Sequence, residues 1–204
     1  INGCLVGSEM CIRDRSTSSR ATIGGMAGNN SCGGRSLKYG MMRDNVLSIE
    51  AILNDGKEYC FGDLDIDELK NNSNLDVFNN NIFKLYEQVK KNKNVILNDF
   101  PKVLRRVAGY NVDALLPDAM SYRPNGKKGD GINLSHFLVG SEGTLGYFTK
   151  IKLKLSELPS KKVMGVCHFP SFYESMDAAQ HIVKLNPVSV ESVSYTHLTL
   201  PTNC

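Results

Sequence analysis

A regular alternation of apolar and polar positions marks one strand in the first third of the chain. In the segment VLSIEAIL, which begins at Val46, every second residue from Leu47 to Leu53 is apolar, while the opposite face is mixed. A period of two indicates a β-strand that is buried mainly on one face. The turn sequence Asn-Asp-Gly follows at residues 54–56, so we predict that residues 58–61 return as a second, antiparallel strand.

A helical period follows a polar stretch. Residues 62–75 are polar and are predicted to form a loop. The next segment, DVFNNNIFKLYEQVKKNK, starts at Asp76 and carries apolar residues at near-helical spacing. Asp76 is a suitable N-cap, and the lysines gather at the C-terminal end, where the helix dipole favours positive charge.

A shorter helix is predicted over residues 101–107, with Pro101 early in its first turn. Residues 117–131 are predicted to form a surface loop.

Further strands and one more helix are predicted in the second half of the chain. We expect a strand at about residues 134–139, then a cluster of glycines, then a long alternating strand over residues 148–155. Beyond it, the pattern predicts a strand at residues 162–169, a helix at residues 171–185 and the start of another strand at Val188. This last order is βαβ-like, and the whole pattern predicts an α+β fold.

Composition narrows the class of protein. The chain has 204 residues, 41% of them hydrophobic, and a net charge of only +3, which suits a domain with a real core. No basic tract carries interleaved aromatic residues and no apolar run has membrane-spanning length, so we expect neither a nucleic-acid partner nor a transmembrane segment. Cys32, Cys60 and Cys167 lack ligand spacing, which predicts no metal site and a reducing setting. We expect a cytoplasmic protein, with peripheral attachment to a membrane left open.

The two ends of the chain differ from the rest. CLVGSEMCIRDR, which ends at Arg15, and VSYTHLTLPTN, which ends at Asn203, have no periodic partner and resemble read-through of a sequencing adapter. We therefore expect residues 1–15 and 194–204 to be non-native and poorly packed, and a folded core to cover residues 16–159.

Glycine is concentrated in two segments. One, ATIGGMAGNNSCGGRSLKYGMMR, starts at Ala21, and the other, HFLVGSEGTLGYFTKIKLKL, starts at His136. Because glycine has no Cβ, such a backbone can approach a phosphate or a flat cofactor closely; ordinary turn chemistry is the alternative. Neither segment is a P-loop or a G-x-G-x-x-G dinucleotide turn. The residues alone therefore predict an α+β domain with glycine-rich ligand loops.

Three segments also resemble a known family. In this order over residues 21–159, ATIGGMAGNNSCGGRSLKYGMMRDNVLSIEAILNDGK, GYNVDALLP and FLVGSEGTLGYFTKIKLKLSELP resemble the FAD-linked oxidases of the vanillyl-alcohol-oxidase or p-cresol-methylhydroxylase (PCMH) type. RRVAGYNVDALLP and FPSFYESMDAAQHIVKLNPVSVE are most similar to the large bacterial members that join the flavin domain to a C-terminal iron–sulfur domain. Those members are similar to D-lactate and D-2-hydroxyglutarate dehydrogenases.

The resemblance implies a division into domains. Residues 16–160 would be the second subdomain of a PCMH-type FAD-binding domain, a mostly antiparallel sheet flanked by helices. Residues 161–193 would begin an α+β cap domain that binds the substrate. The first FAD subdomain, the catalytic groups of the cap and the cysteines of an iron–sulfur cluster would lie outside this chain. We therefore expect an internal fragment of a longer enzyme.

The resemblance also implies which residues contact FAD. The turn at residues 140–146 would lie against the cofactor, residues 22–25 would run beside its pyrophosphate and isoalloxazine, and the two segments would line one groove. Glu142 would accept backbone amides and hold the loop, or else be a solvated turn residue. The residues expected to bind FAD are Thr22, Ile23, Gly24, Gly25, Asn30, Ser31, Gly33, Gly34, Tyr39, Gly40, Gly140, Glu142, Gly143, Thr144, Leu145 and Gly146. Packing is an equal alternative for Tyr39.

One region departs from the family pattern. Arg105 and Arg106 stand where relatives have lysine and polar residues, and Asn111 replaces an aspartate. Either arginine could attract the carboxylate of an acid substrate; a solvated helix end is the alternative. The implied function is oxidation of a D-2-hydroxy acid by hydride transfer to FAD. The alternatives are a flavin oxidoreductase acting on an alcohol or sugar and an inactive flavin-binding fragment. The catalytic residues, the electron acceptor, the oligomeric state and the mode of FAD attachment are not defined by the sequence.

Overall fold

The structure of the chain is a computed structural model, and it describes residues 21–71, 76–103, 106–116, 132–157, 159–161 and 163–192. These residues form an α+β structure with a small antiparallel sheet and flanking helices, as predicted. Three expectations lie outside the described residues: the packing of the two ends, the loop at residues 117–131 and the position of Arg105.

Three antiparallel strands form the main sheet. β1 (Val46–Ile52) is central, with β2 (Glu58–Phe61) on one side and β5 (Tyr147–Leu153) on the other. The turn at residues 54–56 joins β1 to β2 and contains Gly56 at φ +76°, a conformation that glycine adopts without strain. The predicted hairpin is therefore confirmed, and so is the long alternating strand near residue 150.

A β-bulge at Leu47 changes the face that the alternation predicts for this residue. Val46 and Ser48 pair with consecutive residues of β5, so Leu47 is the extra residue. Its side chain is 41% exposed, whereas those of Val46 and Ile49 are buried. The carbonyl oxygen of Leu47 accepts a hydrogen bond from Asn133 Nδ2 at 2.8 Å. The bulge depends on partners distant in sequence, which a local period does not contain.

The long amphipathic helix is confirmed as α5 (Val77–Lys91). Asp76 caps its N-terminus, since its Oδ1 accepts the amide of Asn79 at 2.8 Å. The ring of Phe78 stacks on that of Tyr59 in β2, with centroids 4.3 Å apart. The cap therefore starts the helix, and the aromatic pair holds its first turn against the hairpin.

Two predictions on either side of α5 were wrong. Residues 62–75 contain β3 (Asp63–Leu64) and α4 (Ile66–Asn71) in place of a continuous loop. The helix expected at residues 101–107 does not occur at the described positions 101–103 and 106–107. A helix ends before them, α6 (Lys93–Asp99), with Phe100 in an extended conformation. A residue that precedes proline avoids the helical region, so Pro101 ends this helix and does not begin another.

The strand expected at residues 134–139 was also wrong. β4 (Ile132–Asn133) pairs with β3, and α7 (Ser135–Leu138) follows at once. Asn133 Oδ1 accepts the amide of Ser135 at 2.9 Å and its hydroxyl at 2.5 Å. These local side-chain bonds turn the backbone into the helix, and they override the strand propensity of the apolar run.

The remaining short elements lie near the glycine-rich segments. α1 (Ile23–Gly28), α2 (Ser36–Tyr39) and α3 (Met42–Asn45) precede β1, and a 3-10 turn, Val112–Leu115, packs against α5 and α7. The first glycine-rich segment was expected to be a loop, but it contains α1, α2 and the start of α3. Thr22 explains α1, because its hydroxyl accepts the amide of Gly25 and caps this helix.

The last described region contains the predicted helix without its predicted strands. α8 (Phe172–Ile182) begins after the N-cap Ser171, and a 3-10 turn, Val183–Leu185, extends it. Described residues 163–169 and 188–192 form no strand. A strand needs a neighbouring strand for its backbone hydrogen bonds, and none of the described strands pairs with these residues. No described helix is long and apolar enough to cross a membrane.

The core lies between the sheet, α5 and the segment around α7. Its fully buried side chains come from β1, α3, α7 and the 3-10 turn, and they include Met42, Val46, Ile49, Leu115, Leu138 and Val139. Met42 belongs to the first glycine-rich segment, and Leu138 and Val139 belong to the second. The core therefore gives those segments a rigid base.

Candidate functional site

The two glycine-rich segments meet through backbone hydrogen bonds. The amide of Gly140 donates to the carbonyl oxygen of Ala27 at 2.9 Å, and the amide of Glu142 donates to that of Gly28 at 2.9 Å. Asn29 Nδ2 also donates to Glu142 Oε1 at 3.1 Å. We call this contact between residues 27–29 and 140–142 the loop junction. Glu142 therefore accepts a side-chain amide from the other segment, whereas the sequence predicted that it would accept backbone amides of its own loop.

The loop junction brings the predicted segments together at the end of α1. Residues 22–25 begin that helix, and the junction itself uses residues 27–29. With a rise of about 1.5 Å per helical residue, residues 22–25 lie within roughly 10 Å of the junction along the axis. The sequence predicted that the segments line one groove; the observed contact is at the C-terminal end of α1.

The glycines of the two segments differ in their exposure and in the space around them. Gly24 and Gly143 are exposed, and a Cβ placed on either would meet no atom within 4 Å. Gly140 has φ +89°, and a Cβ there would lie 3.3 Å from Asn30 Cβ. A Cβ on Gly146 would lie 3.1 Å from the carbonyl oxygen of Ile52. Internal packing therefore explains Gly140 and Gly146, while Gly24 and Gly143 leave the backbone open to a ligand.

Asn30 and Ser31 lie beneath this surface. Asn30 has φ +50° and is completely buried, and its Oδ1 accepts the amide of Arg43 at 3.0 Å. Ser31 donates its amide to Met26 and accepts the amide of Met42 on its carbonyl oxygen. Asn30 Nδ2 and Ser141 Oγ are buried and have no hydrogen-bond partner among the described residues. The site therefore contains two unused polar groups able to donate to an acceptor.

The other residues of the first segment stabilise its turns. The amide of Gly33 donates to Ser36 Oγ at 2.9 Å. The carbonyl oxygen of Tyr39 accepts Asn45 Nδ2 at 2.9 Å. Gly40 has φ +79°, and a Cβ there would lie 2.7 Å from Asp44 Oδ2, which accepts the amide of Met41. Gly40 is thus required by the local turn.

The segment at residues 110–113 spans the second glycine turn. Asn111 Nδ2 donates to the carbonyl oxygen of Val139 at 2.7 Å, at the start of the turn. The hydroxyl of Thr144 donates to the carbonyl oxygen of Ser141 at 2.5 Å and lies 2.8 Å from the hydroxyl of Tyr110. Because the Thr144 proton is already used, Tyr110 donates in the second bond. Both ends of the turn are therefore tied to one segment.

Buried charges support that segment from behind. Arg43 Nη1 donates to Asn111 Oδ1 at 3.0 Å and lies 3.7 Å from Asp113 Oδ2. Arg106 forms an ion pair with Asp113 and lies over the ring of Phe100, 4.5 Å from its centroid. A substrate carboxylate would have to compete with Asp113 for Arg106. The weak prediction of a substrate contact at Arg106 remains a prediction.

Sequence reasoning missed several residues of this network: Ala27, Gly28, Asn29, Arg43, Tyr110 and Asp113. A signal was present for one of them, since the positively charged Arg43 lies just before a buried strand. A charge that precedes buried apolar residues needs a partner in the fold. No described group of histidine, cysteine, aspartate and glutamate residues could hold a metal ion.

Comparison with known proteins first indicates the class of protein that the chain resembles. Residues 8–61 match the model of a family described as FAD binding domain. The match contains the first glycine-rich segment, β1 and β2, and it begins inside residues 1–15, which were expected to lie outside the domain. The resemblance to FAD-linked oxidases is confirmed.

The relatives carry the names of two dehydrogenases and one oxidase subunit. The chain is 30% identical to D-2-hydroxyglutarate dehydrogenase of Escherichia coli over 91% of its own length and 17% of the relative. It is 27% identical to a probable mitochondrial D-lactate dehydrogenase of Danio rerio, over 80% of its length and 22% of the relative. It is 26% identical to glycolate oxidase subunit GlcD of Bacillus subtilis, over 93% of its length and 30% of the relative. The chain therefore spans less than a third of these relatives.

Proposed function

We propose that this chain forms part of the FAD site of a dehydrogenase that oxidises a D-2-hydroxy acid. The loop junction is the observation that supports it most directly. It joins two glycine-rich segments that are far apart in the sequence, and it leaves the backbone exposed at Gly24 and Gly143. Three of the relatives above carry names of enzymes that act on D-2-hydroxyglutarate, D-lactate or glycolate, all of them small hydroxy acids.

The residues present fit FAD. Its pyrophosphate and ring carbonyls are hydrogen-bond acceptors, and Asn30 Nδ2 and Ser141 Oγ are donors without partners among the described residues. Gly24 and Gly25 are exposed on the first segment, Gly143 and Thr144 are exposed on the second, and we propose that these four residues form one rim beside the junction. We propose that the rim contacts the cofactor through its backbone and that the two buried donors are available to its acceptor oxygens. The wider set of FAD contacts predicted from the sequence, residues 22–25, 30, 31, 33, 34, 39, 40, 140 and 142–146, is part of this proposal.

When bound, FAD would accept the hydride that leaves the α-carbon of the hydroxy acid. The described residues would bind and orient the cofactor. Thr22 would fix the first turn of α1, and Tyr110 and Thr144 would fix the second glycine turn. We assign no catalytic residue within this chain. Arg105 and Arg106 remain candidates for contact with the substrate carboxylate.

The proposal includes the division into domains. Residues 16–160 would be the second subdomain of the FAD-binding domain, and residues 161–193 would begin the substrate-binding cap. α8 and the exposed apolar residues around it suit such a beginning, since Val163, Met164, Tyr173 and Leu185 are each more than three-quarters exposed. An iron–sulfur cluster would belong to another part of a longer protein.

A residue-resolved titration tests the proposal. FAD is added to the isotope-labelled 204-residue chain, and amide shifts are followed by NMR. We expect progressive shifts at Gly24, Gly25, Gly143 and Thr144, and none at Gly56 or Gly165, which are exposed but remote in sequence from the junction. Riboflavin is the control ligand, because it has the ring system without the pyrophosphate. Shifts confined to other surfaces, or no shifts at all, would contradict the assignment of this site.

A further inference from the structure

We propose that Asn111, acting with Arg43, is a positioning residue that holds the two glycine-rich segments at the loop junction. This inference rests on the proposed function for its relevance to FAD, but the contact it describes is independent of the cofactor. Asn111 is 3% exposed, and Arg43 is 7% exposed. Asn111 lies outside both glycine-rich segments and Arg43 is the last residue of the first, and both act on the junction through hydrogen bonds.

A closed circuit of hydrogen bonds carries the argument. Asn111 Nδ2 donates to the carbonyl oxygen of Val139, and Asn111 Oδ1 accepts Arg43 Nη1. The backbone amide of Arg43 donates in turn to Asn30 Oδ1, and Asn30 follows the Ala27–Asn29 stretch of the junction. The circuit closes where Gly140, the residue after Val139, donates to Ala27.

The circuit fixes two left-handed backbone positions. Asn30 has φ +50°, and Gly140 has φ +89°, so both lie in the left-handed region that side chains disfavour. A residue other than glycine persists there only when its surroundings stabilise it. Asn30 receives that support from the Arg43 amide. A Cβ on Gly140 would lie 3.5 Å from Asn111 Nδ2, so Asn111 packs directly against the turn.

Buried ion pairs hold Arg43 in position beside Asn111. Arg43 lies 3.7 Å from the carboxylate of Asp113, which also pairs with Arg106. Buried charges of this kind are costly unless they are paired and hydrogen-bonded. Asn111 satisfies one donor of Arg43 with its oxygen and one carbonyl of the turn with its nitrogen. An aspartate at position 111 would keep the first bond and lose the second, because it has no N–H to donate.

Hydrogen exchange tests the proposal without any cofactor. In Asn111→Asp, we expect the Gly140 and Glu142 amides to exchange faster by about tenfold or more, because the loss of a buried hydrogen bond shifts the local opening equilibrium by that order. The β1–β2 amides should keep their rates. Asn92→Asp is the matched control, since Asn92 also donates its side-chain amide to a backbone carbonyl, that of Gln88, but at the surface. It should leave Gly140 unchanged.

A second variant separates the two partners. Arg43→Lys keeps a positive charge near Asp113 and keeps its own backbone bond to Asn30, but it cannot reproduce the planar contact with Asn111. We expect faster exchange at Gly140 and Glu142 here too, to a smaller extent than in Asn111→Asp. Unchanged exchange in both variants, or uniform acceleration that includes the β1–β2 amides, would overturn the positioning role.

Flavin titration of the same variants separates this proposal from the proposed function. If Asn111→Asp accelerates exchange and reduces the FAD-induced shifts at Gly24 and Gly143, the positioning role extends to the cofactor. If exchange accelerates but the FAD affinity stays the same, the role toward FAD is overturned while the contact stands. If the unmodified chain shows no FAD-induced shifts, the proposed function fails, and the exchange rates still decide whether Asn111 holds the junction.

Discussion

The amide of Gly140 donates a hydrogen bond to the carbonyl oxygen of Ala27 at 2.9 Å, and so a turn near residue 140 closes on the end of α1. The carbonyl oxygen of Val139, next to that amide, is bound by Asn111 at 2.7 Å. One peptide unit therefore joins three segments that are far apart in the sequence. Its geometry leads to predictions on stability that do not require a cofactor.

Gly140→Ala should lower the free energy of unfolding by about 2–5 kcal/mol. A side chain in the left-handed region costs about 1–2 kcal/mol, and overpacking against Asn30 adds about 1–3 kcal/mol. The Cβ would lie 3.3 Å from Asn30 Cβ. Gly143→Ala is the control, because Gly143 also has a positive φ but open space around it. It should lose only the conformational term. Urea unfolding measures both, and equal losses would contradict a steric role for Gly140.

Gly146→Ala should also destabilise the chain, for a different reason. Gly146 precedes β5, and a Cβ there would lie 3.1 Å from the carbonyl oxygen of Ile52 and from Leu53 Cδ2. Separating β5 from β1 to admit a methyl group costs about 1–3 kcal/mol. Gly165→Ala is matched, since its Cβ would meet nothing within 4 Å. It should stay within about 0.5 kcal/mol of the unmodified chain. A neutral Gly146→Ala in thermal and urea unfolding would argue against this close strand contact.

The hairpin carries a hydrogen bond with a defined pH dependence. Tyr59 donates its hydroxyl to Asp55 Oδ2 at 2.6 Å. This bond, with a smaller contribution from the Lys57 amide, lowers the pKa of Asp55 below its ordinary value. The carboxylate is therefore favoured in the folded state. Its contribution to stability is present above the ordinary pKa of about 3.9 and is lost as pH falls through the lowered value.

Tyr59→Phe should raise the pKa of Asp55 toward its ordinary value, as followed by carboxyl-carbon NMR. The stability difference between the unmodified chain and this variant should shrink between about pH 6 and about pH 2. Tyr147→Phe is the control, because Tyr147 is 73% exposed and makes no contact with Asp55. An Asp55 pKa that is equal in all three proteins would show that the Tyr59 bond does not form in solution.

The 204-residue chain by itself should not hold FAD at stoichiometric occupancy. The proposed site lies in one subdomain, and the chain spans 17% of the length of the Escherichia coli relative. Each charge-assisted hydrogen bond that is missing from the pyrophosphate removes about 1.5–3 kcal/mol, and each 1.4 kcal/mol is about a tenfold loss of affinity. Weak, saturable binding is therefore expected in the titration above.

A flavin spectrum of the purified chain checks this expectation. D-lactate or D-2-hydroxyglutarate is then added with a dye acceptor and excess FAD, and we expect no substrate-dependent reduction of the dye. A yellow protein with one flavin per chain that bleaches on addition of substrate would show that the chain is self-sufficient. The proposed need for a further subdomain would then be wrong, while the location of the FAD site could still be correct.

The sequence by itself determined the elements whose signals are local. Asp76 and the apolar spacing after it fixed α5, and Asn-Asp-Gly at residues 54–56 fixed the hairpin. In each case the information lies within a few residues, because caps and tight turns use side chains and backbone groups that are neighbours along the chain. The glycine-rich sequences likewise located the two segments that meet at the loop junction, and they indicated the family that these segments resemble.

Only the tertiary structure decided how those segments work together. Gly140 and Gly146 look alike in the sequence. In the structure, Gly140 forms a left-handed turn against Asn30, whereas Gly146 allows β1 to approach the chain closely. The bulge at Leu47 and the roles of Arg43 and Asn111 depend in the same way on partners that are distant in the chain. The physical reason is that such positions are selected by packing and by the satisfaction of buried polar groups. Both are properties of surfaces that exist only after the chain has folded.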